Sequence, residues 1–365
     1  MLGAIVGFVL GIVSSMVANI LWEAHGRKTV RRYNHWRGKR KYQGERGFLR
    51  LGENVIPWIT VAFGPWERDD VRSSFRPAAP SLHPLIQERY NEIQCRAEEV
   101  NSRGEGGPFN GLGYKLESFW VGDRDRMTES PRLHLAFRPT DYFSMLASDQ
   151  SLDVPLVHQG QKTTMRQEFA SRVDLFTRPV PELATHFGIA LQIVTKDGYT
   201  VFSERGKTAV DSHVFFPSVA EGCSRPADAD DRQAPDVYRT AVRGVLEELG
   251  IEINRDSVEW ISFGANAVLC EYGLIGTVEV DCTVDDLHRI REIGTPKDKW
   301  ESAHLHTVRW EPKEVARFVA GHGLWSPFAL VTVAHALISG FDLTPIEVDA
   351  LFRGLTIRCS QELPR

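Results

Sequence analysis

The order of apolar and polar positions divides the chain into segments with helical or strand period. In residues 238–251, YRTAVRGVLEELGI, Ala241, Val245, Leu246 and Leu249 fall at helical spacing. Gly250 supplies the stop, because a residue without Cβ takes the left-handed conformation freely. Residues 187–195 form a continuous apolar run, Asp197-Gly198 reads as a tight turn, and 199–203 reads as the returning strand. Further strands are expected at 58–63, ended by Pro65, at 114–121, and at 133–137, whose irregular alternation suggests an internal position. Residues 258–263, 265–269, 274–280 and 301–310 read as strands as well. Helical spacing marks 84–100, with Pro84 suited to the first turn, then 312–320 and 327–339. A last helix is opened by the capping box Thr344-Pro345-Ile346-Glu347.

Ahead of these lies an uncharged run, residues 2–22, about 21 residues long. At roughly 1.5 Å per residue it matches the roughly 30 Å hydrocarbon core of a bilayer. Nothing basic precedes Leu2, so the run reads as a retained anchor rather than a cleaved leader. Arg27, Lys28, Arg31, Arg32, Arg37, Lys39, Arg40 and Lys41 follow it. By the positive-inside rule the expectation is a single-pass cell membrane protein with its N-terminus outside and its bulk in the cytoplasm, the basic stretch lying on anionic lipid. Tyr33, Trp36 and Tyr42 interleave with these bases, but a nucleic-acid tether is the weaker reading. The orientation rule already accounts for the bases, and the formal net charge of −5 gives no global reason for nucleic acid as a partner. Gly3, Gly7 and Gly11 share one face of the anchor, where a second copy could approach to form a homodimer.

The 365 residues suffice for roughly two folded domains. The expected division is 1–24 membrane anchor, 25–46 basic linker, 47–180 a mixed α/β domain of unassigned role, and 181–356 a second domain. Five scattered cysteines without a C-x-x-C pair argue against a disulfide framework or structural zinc, and favour a reducing compartment.

The chemistry sits on the polar side of the 238–251 helix. Arg243 and Glu247 are one turn apart and can pair, with Glu248 beside them. Paired carboxylates steadied by a base suit a hard cation, Mg²⁺ (or Mn²⁺), which takes oxygen ligands and keeps waters for a phosphate to displace. A solvated amphipathic face is the plain alternative. The stretch 243–251 resembles the second half of the Nudix box, G-x5-E-x7-R-E-U-x-E-E-x-G-U, matching at Arg243, Val245, Glu247, Glu248, Gly250 and Ile251. The resemblance implies that Glu247 and Glu248 bind divalent metal and that Arg243 steadies them. The preceding hairpin ends in Arg205 and Lys207, which could face a substrate phosphate, and Glu301 is the candidate for a further metal ligand or general base.

Two departures stand out. Gly244 occupies the place of a box glutamate, and at standard spacing the first half of the box would fall on Ala229 and Pro235. If residues 217–222, PSVAEG, are the true start, about seven extra residues follow, and Glu221 or Asp236 could supply the missing acid. The implied fold is α+β: a Nudix-like α/β/α sandwich with a mixed sheet, preceded by a second mixed α/β domain and one transmembrane helix. The implied function is a membrane-anchored hydrolase that cleaves a diphosphate linkage in a nucleoside-diphosphate derivative. Its rival is a degenerate Nudix fold that binds a nucleotide as a sensor without hydrolysing it. His304 and His306, two apart on one strand, have a spacing compatible with metal but read as ordinary strand histidines.

Overall fold

The computed structural model describes residues 47–103, 109–122, 132–206, 213–294 and 302–361. The apolar run 2–22 with Gly3, Gly7 and Gly11, the basic stretch 27–41, Lys207 and Glu301 lie outside the described residues. Among the described residues no single helix is long and apolar enough to cross a membrane.

The first part of the chain gives β1 (Phe48–Leu51), β2 (Asn54–Trp66), β3 (Val71–Phe75), α1 (Pro84–Ser102), β4 (Leu112–Gly122), β5 (Arg132–Asp141) and α2 (Tyr142–Ala147). A small hairpin follows, β6 (Leu156–His158) and β7 (Gln161–Thr163). Next come β8 (Phe187–Thr195), β9 (Tyr199–Arg205), β10 (Val214–Phe216), β11 (Val219–Gly222), α3 (Arg225–Asp228) and α4 (Val237–Leu249). The last part holds β12 (Val258–Asn266), β13 (Glu271–Val280), α5 (Val284–Glu292), β14 (Ser302–Arg309), α6 (Pro312–Gly321), β15 (Leu324–Trp325), α7 (Pro327–Phe341) and α8 (Pro345–Leu351).

The architecture is mixed α+β. A ten-stranded sheet runs β1-β2-β12-β13-β8-β9-β10-β15, with β11 added on β8 and β14 on β9. It is mixed because β13 pairs with β8 in parallel and β8 with β11 antiparallel. The continuous apolar character of β8 has a direct cause: both of its faces are buried. Ile189, Leu191 and Ile193 join Val237, Ala241, Val245 and Leu249 of α4 in one core, whereas Ala190 joins Leu330, Val333 and Leu337 of α7 in another. Helices therefore cover both faces of the sheet.

A three-stranded sheet, β3-β5-β4, packs Leu133, Leu135 and Phe137 into the same core as α4. The internal position expected for 133–137 is that of β5. β2 pairs with β12, so the large sheet takes strands from both sides of residue 180.

Two expectations need correction. Pro65 does not end its strand: β2 continues to Trp66, and Gly64 and Pro65 fall at a register shift opposite Ile261, where a missing N–H is tolerated. Residues 258–269 are not two strands but one, β12, ending at Asn266. Gly264 lies within it because a Cβ there would meet Ile59 O at 2.4 Å and the Trp58 indole at 2.6 Å.

Candidate active site

α4 is positioned by its ends. The Asp236 carboxylate accepts from Tyr238 N and Arg239 N, each at 3.1 Å, and also pairs with Arg255. At the other end Gly250 takes φ 74°. The buried face of the helix includes Thr240, Ala241, Gly244, Val245 and Glu248. Gly244 faces β11, where an ideal Cβ would lie 3.0 Å from Val219 Cγ1 and 3.1 Å from Glu221 Cβ. The absence of a side chain at 244 brings the helix close to the strand.

That approach sets the Arg243 guanidinium among carboxylates from three elements. Nε donates to Asp228 Oδ1 at 2.9 Å, and Nη2 donates to Asp228 Oδ2 and to the Gly222 carbonyl, both at 2.9 Å. Nη1 meets Glu247 Oε2 at 2.8 Å and Glu221 Oε1 at 3.1 Å. The guanidinium thereby makes four hydrogen bonds, to Asp228, Gly222 and Glu247, and an ion pair with Glu221. Burial by itself would lower the Arg243 pKa, but the Asp228 hydrogen bonds and the Glu221 charge outweigh it and raise the pKa above the usual arginine value. Asp228 is fully buried, while Arg243, Glu221 and Glu247 retain about a fifth of their side-chain surface. Glu248 turns inward, its Oε1 accepting from Ala220 N at 3.0 Å.

One guanidinium thus faces three carboxylates in a partly open position. Glu221 and Glu247 present oxygens to the same nitrogen and so lie near one another. A hard cation that keeps waters and shares phosphate ligands needs only one or two such carboxylates. Among the described residues no group of three or more His, Cys, Asp or Glu is arranged to hold a metal ion.

The structure brings Arg243, Glu247 and Glu221 together, with Glu248 behind them. Asp236 is not among them; its carboxylate is spent on the helix N-terminus and Arg255. The Arg205 guanidinium stacks over Phe216, 4.6 Å from the ring centroid. His306 Nε2 lies 2.9 Å from Glu204 Oε2, and His213 Nδ1 lies 3.5 Å from the other Glu204 oxygen, so His306 is used in a contact between β14 and β9.

Sequence reasoning missed Asp228, the central acid of the cluster. A signal was present: Gly222 and Asp228 are separated by five residues, the G-x5-E spacing with aspartate for glutamate. The extra residues then lie between Asp228 and α4, where Asp230 ties the loop by accepting from Arg232 N and Ala234 N at 2.8 Å.

No family model matches the chain, and no curated protein matches it. Among solved structures the chain is similar to the crystal structure of DR0079 from Deinococcus radiodurans. The identity is 12% and the TM-score 0.30, with 41% of this chain and 82% of that chain covered.

Proposed function

We propose that the chain is a Nudix-like hydrolase that uses a divalent metal to cleave a diphosphate linkage in a nucleoside-diphosphate derivative. The observation that carries this reading is the arrangement around Arg243, which gathers Asp228, Glu221 and Glu247 from three separate elements. An arginine held by three carboxylates and a backbone carbonyl is an organiser of carboxylates rather than a ligand for substrate. In this role it fixes the rotamers of Glu221 and Glu247, so that a cation meeting them would find both carboxylates already placed. Glu221 and Glu247, with Glu248 behind them, would hold Mg²⁺ or Mn²⁺, which supplies charge neutralisation for the phosphates and a more acidic water. Arg205 and Lys207 are the candidate phosphate-facing bases. The apolar run 2–22 and the bases after it would anchor the protein to the cytoplasmic side of a membrane as a single-pass protein.

A second reading, a nucleotide-binding sensor at the membrane, is favoured by Gly244. The box places an acid at that position, but here a side chain would press on Val219 and Glu221. The two readings separate in one assay of nucleoside-diphosphate sugars, dinucleotides and nucleoside triphosphates. Hydrolysis predicts metal-dependent product that Glu247→Gln and Glu248→Gln reduce by at least tenfold; the sensor predicts saturable binding with no product.

A further inference from the structure

The three-stranded sheet β3-β5-β4 has one buried face and one exposed face. Leu133, Leu135 and Phe137 of β5 pack into the core shared with α4, and by strand alternation Arg132, His134 and Ala136 stand on the opposite face. Register fixes what lies beside them. Arg72 of β3 pairs with His134 on one side and Trp120 of β4 pairs with it on the other, so Arg72, His134 and Trp120 form one row across the sheet. The next row is Ser74, Ala136 and Ser118, whose short side chains leave a hollow of about 150 Å³ bordered by the first row.

The rim of the hollow carries two flat rings. Trp120 is 58% exposed, and its indole lies along β4 over Gly122, where an ideal Cβ would fall 1.8 Å from Cη2. Its ring centroid is 5.0 Å from that of His134. Burial, and then the charges of Arg72 and Arg132, hold the His134 pKa below its usual value, so at neutral pH this ring is uncharged. The charges beside the rings are of one sign. Arg72 donates only to the Asp69 carbonyl, at 3.4 Å, and Arg132 Nε is buried without a hydrogen-bond partner among the described residues. Neither guanidinium forms an ion pair among the described residues, although the chain as a whole has a formal net charge of −5.

A ligand complementary to this face has flat rings to lie against the indole and anions to meet the guanidiniums. Single-stranded nucleic acid presents both in every unit, whereas the bases of a duplex are already stacked on one another. We propose that the exposed face of β3-β5-β4 binds single-stranded nucleic acid, with a base stacked on Trp120 at the hollow and flanking phosphates on Arg72 and Arg132. The core shared with α4 lies against the other face of this sheet, so the surface is separate from the Arg243 cluster and does not depend on diphosphate hydrolysis there. Gly122 becomes a determinant of the surface, since a methyl on it would displace the indole.

The test is photo-crosslinking of the full chain, in an uncharged detergent, to oligouridine carrying 5-iodouracil, with the adducts located by mass spectrometry. The expected adduct is on Trp120 or His134, and it forms in the wild type, so no variant has to fold for it to decide. In anisotropy titrations Trp120→Ala should weaken oligouridine binding about fivefold or more, and Trp120→Phe, which keeps a ring, should recover part of the loss. Arg72→Gln should reduce the slope of log affinity against log salt by about 0.7, the share of one phosphate on a single strand. A duplex of the same length should compete poorly. Adducts confined to Tyr33, Trp36 and Tyr42, with affinity unchanged in Trp120→Ala, would assign the binding to the basic stretch 27–41 and overturn the sheet site. Failure of the folded wild-type chain to bind oligouridine would overturn it as well.

Discussion

Arg243 and Asp228 meet through two parallel bonds, Nε to Oδ1 and Nη2 to Oδ2, each 2.9 Å. Asp228 is fully buried and also accepts from Ser224 N at 2.7 Å. Removing the Asp228 carboxylate strips Arg243 of two charge-assisted hydrogen bonds and leaves it paired with Glu221 and Glu247, at a cost of about 1.5–3 kcal/mol. Asp228→Ala is therefore expected to lower the unfolding free energy by that amount, read from the urea midpoint. A loss under about 1 kcal/mol would mean that the pair does not organise the site.

Gly244 gives a prediction of opposite character for two side chains. Gly244→Ala gains up to about 1 kcal/mol of helix propensity, offset by contacts of 3.0 and 3.1 Å with Val219 and Glu221 that require small adjustments. It should be near neutral in thermal unfolding. Gly244→Glu restores the box acid but must push a carboxylate into the α4–β11 contact, and should cost roughly 2 kcal/mol or more. If Gly244→Glu proved as stable as the wild type, the close approach of α4 to β11 would be wrong.

Buried Asp149 and half-buried His186 have pKa values shifted in opposite directions. Burial raises the Asp149 pKa from 3.8 to about 6, so the folded state holds a proton that the unfolded state has released, and its contribution falls as pH rises from about 4 to about 6. Burial lowers the His186 pKa from 6.5 to about 4, so the unfolded state binds the extra proton, and stability rises with pH over nearly the same window. The two contributions largely cancel in the wild type. His186→Gln should become less stable between pH 4 and 6, and Asp149→Asn more stable between pH 4 and 6.5, each relative to the wild-type curve and by roughly 2 kcal/mol. Parallel curves for all three proteins would contradict both shifts.

The parts of the fold legible in the sequence are those set by local rules. The helix around Arg243 was marked by its apolar spacing, its pair Arg243 and Glu247 and its stop at Gly250, and β8 by its uninterrupted apolar run. Pro84 at the first turn of α1 and the Thr344–Glu347 capping box of α8 are equally local. What the sequence concealed depends on distant contacts. Pro65 looks like a terminator until its bulge opposite Ile261 is known. Asp236 looks like a spare acid until its place at the N-terminus of α4 is seen. β3, reading VRSSF, carries too little apolar pattern to identify, and its partner in β5 lies some sixty residues away. The His186 ring finds its place only where Gly113 and Gly222, far apart in sequence, leave out a side chain.

The apolar run 2–22 predicts that the full chain stays in the membrane fraction through an alkaline carbonate wash and that deletion of residues 1–46 releases it. Release of the full chain by carbonate alone would remove the anchor and, with it, the expected orientation of residues 27–41.

The measurement that bears most directly on the central claim is nucleotide or phosphate release by the full chain from nucleoside-diphosphate sugars, dinucleotides and nucleoside triphosphates, with and without Mg²⁺ or Mn²⁺. The account predicts product from a diphosphate-linked substrate only when metal is present, reduced at least tenfold in Glu247→Gln. Folded protein that binds one of these nucleotides yet releases nothing across the panel with either metal would contradict hydrolysis and leave the Arg243 cluster as a binding site alone.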